Sequence, residues 1–271
     1  MSELSKFSPK STEFWLALAK RVVTNQHTLL SLLAVSLGAG AGAAAVAFRH
    51  LIDLVQQLGF GFSGEQVASG VQALAWWQVL LVPTSGGLLI GLFIYHFMPG
   101  HRPQGVAQVI EASALKGGRM PFWVGVKSAI ASAASIGVGA SVGREGPIVH
   151  LGATMGSSIA QRLRLGRALT RTLLGCGVAA AVAASFNAPV AGTFFALEVV
   201  VGHYALSAFA PIVIASVTGT IVSRAFYGDF PAFILPQNWQ IASNWEFPAF
   251  ALLGVVCAVA AILFMGSIMW T

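Results

Sequence analysis

Long stretches without charge constrain this chain more than any other feature of its sequence. Residues 22–48 and 66–101 contain no Asp, Glu, Lys or Arg, whereas about 20 apolar residues are enough for a helix to cross the hydrocarbon core of a membrane. Charged residues make up 9% of the chain, against about 25% in an ordinary soluble domain. The sequence therefore excludes a soluble globular protein and predicts an all-α, multi-pass integral membrane protein.

The basic residues lie in short clusters between the apolar stretches. Since cytoplasmic loops of membrane proteins are enriched in Lys and Arg, the densest cluster predicts a cytoplasmic loop, and we expect the N-terminus on the same side. This distribution also accounts for the pI near 9.8 without a nucleic-acid partner. The cluster consists of Arg162, Arg164, Arg167 and Arg171.

The sequence predicts two regions. Residues 1–26 are expected to form a cytoplasmic segment with an interfacial helix, because apolar residues recur there at helical spacing between lysines. Residues 27–271 are expected to form the transmembrane domain. Its last apolar stretch, from Phe247, has no polar tail, so we expect the chain to be the first part of a longer protein.

Full membrane spans are expected at 22–48, at about 76–98 and at about 209–226, from apolar length alone. Asp53 and Glu65 are expected in an outer loop between the first two spans.

Shorter helices are expected after Gly100. Residues 128–143 and 146–161 are free of charge for only 16 residues each, which predicts two half-helices that meet inside the membrane. Another apolar stretch, 172–197, is interrupted at 186–189, where Pro189 suits the first position of a new helix.

Arg144 and Glu145 lie at the junction of the first predicted half-helices. A charge at the centre of a membrane helix costs about 2.5–3.5 kcal/mol on translocon scales, so the pair is either a structural ion pair or part of a binding site. The flanking glycines permit unusual backbone angles, and Pro147 suits a first helical turn whose free N–H groups would bind an anion. Residues 103–107, Pro-Gln-Gly-Val-Ala, predict a second such helix start.

These motifs resemble those of a known family. The sequence from Gly143 to Pro147, followed by Gly152 and Gly156, is similar to the G-R-E-G-P signature of the CLC chloride channels and transporters. Residues 186–192 and the following Leu197-Glu198 resemble a later helix pair of that family. The resemblance runs in order from about residue 28 to 271.

The resemblance implies the broken, tilted helices of an inverted-repeat fold, here the first repeat and the start of the second. It further implies a homodimer in the cell (inner) membrane with one pore for chloride or related anions in each subunit, and no cofactor. Glu145 matches the gating glutamate, whose carboxylate competes with an anion for helix-terminal N–H groups until it is protonated. The positions that match the anion site are Gln104, Gly105, Val106, Arg144, Gly146, Pro147 and Ile148.

Two departures from the family pattern bear on function. Gln104 stands where the family usually has a serine that contacts the central anion, which bears on anion preference. Val199, directly after Glu198, stands where exchangers commonly carry a second glutamate on the proton route. We therefore expect a voltage- or proton-gated anion channel or transporter, and the alternative is a proton-coupled antiporter in which another residue replaces that glutamate. Glu198 itself is expected to hydrogen-bond to nearby backbone.

Parts of the sequence also match two other classes of protein, a serine hydrolase and a transporter of cations or organic solutes. Residues 139–143 match the G-x-S-x-G pattern of serine hydrolases, with Ser141 as nucleophile and His150 nearby. A nucleophile elbow follows a strand, however, whereas a helical stretch precedes Ser141; close helix packing explains these glycines and those at 152 and 156. A cation or organic-solute transporter would share the broken helices, and the scattered histidines do not have metal-site spacing.

Overall fold

The computed structural model describes residues 26–64, 67–72, 74–229, 241 and 243–270, and their regular elements are helices. The chain forms two compact units, 1–232 and 233–271. In the first unit the helices are α1 (Gln26–Phe60), α2 (Val67–Gln72), α3 (Trp76–Phe97), α4 (Val106–Leu115), α5 (Phe122–Gly137), α6 (Glu145–Arg162), α7 (Arg167–Phe186), α8 (Pro189–Phe195) and α9 (Leu206–Tyr227). A π-helical turn, Ala196–Val201, continues α8. The second unit contains α10 (Glu246–Trp270).

Five of these helices, α1, α3, α7, α9 and α10, are long and apolar enough to cross a membrane. The spans predicted at 76–98 and 209–226 are confirmed by α3 and α9. Helix α1 continues to Phe60, so the prediction that Asp53 lies in a loop is wrong. Arg49 and Asp53 are four residues apart, a spacing that a helix accommodates on one face; the charges therefore end the apolar stretch but not the helix. Glu65 and the predicted interfacial helix lie outside the described residues.

The two predicted half-helices are confirmed by α5 and α6, which residues 138–144 connect. Helix α6 begins at Glu145, so Pro147 is its third residue and lies in its first turn, as predicted. The break predicted at 186–189 is confirmed: Asn187 ends α7 in the left-handed region (φ 55°, ψ 36°), and Pro189 begins α8. Two short helices were expected on either side of this break. Only α8 is short, with 7 residues, whereas α7 has 20 and is long enough to cross a membrane.

Helix α7 lies at the centre of the first unit and packs against α1, α6, α8 and α9. Its residues from Thr172 to Ala184 are all buried. Glycines allow the close approach to α6: a Cβ on Gly152 would collide with the carbonyl oxygen of Gly177, and one on Gly156 with that of Leu173. Close packing is thus confirmed as the role of Gly152 and Gly156.

Helices α3 and α10 contrast with α7, since neither has a buried residue. Their exposed side chains include many large apolar ones, such as Leu88, Leu89, Leu253 and Phe264. A surface of this kind is stable against lipid or another protein segment and not against water.

Candidate anion-binding site

The N-termini of α4 and α6 face each other at two glycines. A Cβ built on Gly105 lies 3.8 Å from the Cα of Gly146, and one built on Gly146 lies 3.7 Å from the Cα of Gly105. Gly105 is the residue before the first turn of α4, and Gly146 is the second residue of α6. The fold therefore brings together the two helix starts that the sequence predicts, whose facing glycines are 41 positions apart in the chain.

Each of these helix starts offers backbone N–H groups that have no carbonyl partner in the preceding turn. In α6 they belong to residues such as Gly146 and Ile148, whereas Pro147 has no N–H to offer. In α4 the Gly105 N–H donates to Oε1 of Gln108 (2.8 Å), so that group is already satisfied. The partial positive charge of two helix ends is suited to a small anion.

The loop before α4 is held by a serine that the sequence analysis missed. Oγ of Ser128, on α5, accepts a hydrogen bond from the Gln104 N–H and donates one to the Gln104 carbonyl, both at 2.9 Å. Ser128 is fully buried. The backbone of Gln104 is therefore set by α5, independently of the Gln104 side chain. Local sequence gives little signal for this role, since α5 also contains Lys127, Ser132 and Ser135.

Glu145 and Arg144 lie at the start of α6. Glu145 is the first residue of the helix, where a carboxylate is favoured by the helix dipole. Its side chain is exposed in the described structure, while Arg144 is half-buried. The placement beside the free N–H groups of α6 is the geometry that a tethered competing anion requires; the gating role itself stays a prediction.

The residues after Glu145 turn inward. Pro147 and Ile148 are buried, and of the two only Ile148 has a backbone N–H at the helix end. His150, one turn after Gly146, is 2% exposed, and its Nδ1 has no hydrogen-bond partner among the described residues. Burial of an unpaired ring nitrogen costs free energy. The His150 side chain belongs to the buried core next to the start of α6.

Glu198 and Val199 lie on the π-helical turn, which packs against α4. Both are exposed. The Glu198 side chain has no hydrogen bond to any described residue, so the predicted bond to nearby backbone is wrong. The end of the turn is held near the C-terminal part of α4, since the Arg171 guanidinium donates to the Val201 carbonyl (2.8 Å) and to Oγ of Ser113 (3.4 Å). The turn and the two facing glycines are thus located towards opposite ends of α4.

Ser141 does not form a nucleophile elbow. It is exposed in the connection 138–144, which follows helix α5, whereas the elbow requires a preceding strand. His150, the base considered for it, is buried on α6. The hydrolase alternative is therefore abandoned.

Comparison with known proteins identifies the class to which this fold belongs. Residues 86–271 match the sequence model of the family described as voltage gated chloride channel. The match extends over more than half of the chain, and the chain belongs to this family, the CLC channels and transporters. Its members move ions and are not enzymes.

Particular relatives are similar over most of this chain. A ClcB-like protein of Ralstonia nicotianae is 33% identical over 236 residues, which cover 86% of this chain and 54% of that protein. The structure of a CLC-type fluoride/proton antiporter is 26% identical with a TM-score of 0.65, and covers 84% of this chain and 54% of that one. A slow cyanobacterial Cl⁻/H⁺ antiporter has a TM-score of 0.70 at 20% identity, with 85% and 54% covered. The chain thus spans about half the length of these relatives.

Proposed function

We propose that the complete protein moves chloride or a related small anion across a membrane, with the facing starts of α4 and α6 as one side of the anion site. The observation that carries this proposal is the close approach of Gly105 and Gly146: a Cβ added to either glycine would be in van der Waals contact with the Cα of the other. Two converging helix ends stabilise an anion through their fixed N–H dipoles. Because these dipoles bind an anion less tightly than a full positive charge would, the transported ion can leave the site again.

Glu145 is the gate in this proposal. Its carboxylate is tethered to the first residue of α6 and competes with the anion for the same N–H groups. Protonation removes its negative charge and ends the competition. Glu145 is exposed in the described chain, and the relatives are about twice as long. We infer that further helices of the complete protein enclose this side chain.

Conduction without obligatory proton exchange is favoured by Val199. Its side chain has no titratable group, at the position where exchangers of the family commonly carry a glutamate. The alternative, coupled antiport, is favoured by the 26% identity to a fluoride/proton antiporter; another group would then have to carry the proton.

The remaining parts of the proposal concern the setting of the protein. We propose a homodimer in the cell (inner) membrane, with the N-terminus and the arginine cluster from Arg162 to Arg171 on the cytoplasmic side. In this arrangement the chain is the first part of the CLC transmembrane domain.

The test is anion efflux from vesicles that contain the complete protein. Chloride, nitrate and fluoride are compared as internal anions, with sodium against potassium as a cation control. Efflux that depends on the anion and not on the cation is expected. Efflux no faster than from protein-free vesicles, or efflux that follows the cation, would refute anion transport.

A further inference from the structure

A polar cavity lies away from the candidate anion site, at the opposite end of α6. It has a volume of about 300 Å³, the lower end of the range of small-molecule sites. It lies between the segment before α5 that contains Arg119 and Met120, the end of α6 and the start of α7. Its lining residues are Arg119, Gln161, Arg164, Leu165 and Thr170.

Two positive charges face this cavity, and no carboxylate of the residues that the structure describes is paired with them. The guanidinium groups of Arg119 and Arg164 have no ion pair or hydrogen bond with the described residues. The chain contains no Asp or Glu from 112 to 144 or from 146 to 197. The nearby Glu111 is already paired with Lys116, at 2.8 Å.

The start of α7 adds positive potential of its own. Gly166 precedes the helix and provides no side-chain cap, and the first turn contains no acidic residue. Basic residues are unfavourable at this end of a helix, where the dipole is positive, yet Arg164 and Arg167 flank it. A bound anion would relieve this repulsion.

The walls of the cavity are held in place. The side-chain amide of Gln161 donates to the Met120 carbonyl (3.1 Å) and to Oγ of Ser157 (2.9 Å), and Ser157 accepts from the Met120 N–H (2.7 Å). These bonds fix the segment that carries Arg119 against α6. Arg164 follows in a left-handed backbone conformation, φ 52°, and its N–H donates to the Gln161 carbonyl.

Membrane topology alone explains a basic loop, but it does not require two arginines around one cavity with fixed walls. We propose that this cavity binds the phosphate group of an anionic ligand between Arg119 and Arg164. The planar guanidinium group can donate two hydrogen bonds to one phosphate, and the start of α7 lies beside it. Acidic phospholipid headgroups and soluble phosphates share this chemistry.

The test measures binding to the complete protein in detergent, in a chloride-free gluconate buffer of constant ionic strength. The probes are inorganic phosphate, phosphatidylglycerol and phosphatidylcholine, and the dissociation constant is obtained from the shift of the thermal unfolding midpoint. The test variant is R119Q/R164Q, with each single variant beside it. The control is R102Q/R162Q, which also removes two exposed positive charges, neither of which lines the cavity.

Saturable binding is expected, weakened at least about tenfold in R119Q/R164Q, since each charge-assisted hydrogen bond lost is sufficient for such a factor. The control should bind within about twofold of the unmodified protein, because remote surface charges contribute little. Saturation by inorganic phosphate identifies a soluble ligand, and saturation by phosphatidylglycerol alone identifies a lipid headgroup. Equal weakening in both double variants, or no saturable binding of either phosphate probe above phosphatidylcholine, overturns the proposal.

Discussion

The carboxylate of Glu145 is attached to the first residue of α6, beside N–H groups that any anion at this helix end would also use. If it is the gate, E145Q in the complete protein should abolish the pH dependence of anion efflux while efflux continues, because the amide has no negative charge at any pH. Efflux from vesicles at several pH values measures this.

The matched control for Glu145 is E111Q. Glu111 is also exposed, but its carboxylate is paired with Lys116 on α4 and does not face the start of α6. This variant should keep the normal pH response. A pH response that persists in E145Q would show that the gate lies elsewhere.

Gln104 is suited to a test of anion preference, since Ser128 holds its backbone. The Gln104 carboxamide donates to the Arg102 carbonyl (3.5 Å), just before the start of α4. Replacement by serine therefore changes the side chain next to this helix start, while the backbone of the loop stays held by Ser128. We expect Q104S to alter the order of chloride, nitrate and fluoride permeability, which bi-ionic potentials measure, because the hydroxyl and the carboxamide present different donors. The distant Q72S, at the exposed end of α2, serves as control; an order unchanged in Q104S would contradict the assigned site.

At the scale of helices, the contact between α6 and α7 depends on glycines. The carbonyl oxygen of Gly152 occupies the place where a Cβ on Gly177 would lie. G177A should therefore force the two helices apart and lower the free energy of unfolding by about 1–3 kcal/mol, the usual cost of overpacking. Thermal unfolding of the complete protein in detergent measures the loss.

The control for this contact is G91A on α3. A Cβ at Gly91 meets nothing within 4 Å, and alanine is the better helix former. Its unfolding temperature should stay the same or rise. Similar losses in G91A and G177A would mean that the close approach of α6 to α7 is not the source of the effect.

For the whole molecule, the proposal of a channel instead of an exchanger rests on Val199. Because this side chain cannot carry a proton, a chloride gradient should drive little or no uphill proton movement in vesicles with the complete protein. Simultaneous recording of chloride and pH measures both fluxes. Proton movement against its gradient in a fixed ratio to chloride would establish the antiporter alternative.

The elements of the fold were largely predictable because their signals are local. The apolar length from Trp76 to Phe97, the left-handed Asn187 followed by Pro189, and the interruption before Glu145 all act within a few residues. The end of α1 was missed for a related reason: charge patterns report where the hydrocarbon stretch ends, and a helix does not have to end there.

The candidate site was predictable in part. Patterns along the chain were sufficient to identify two helix starts, at Gly105 and at Gly146, and an acidic residue at one of them. That the two starts meet, that Ser128 holds Gln104, and that Arg119 shares a cavity with Arg164 follow from how α5, α6 and α7 pack. Backbone dipoles and hydrophobic patterns act over one or two turns of helix, whereas contacts between residues 24 to 45 positions apart depend on the packing of the entire unit.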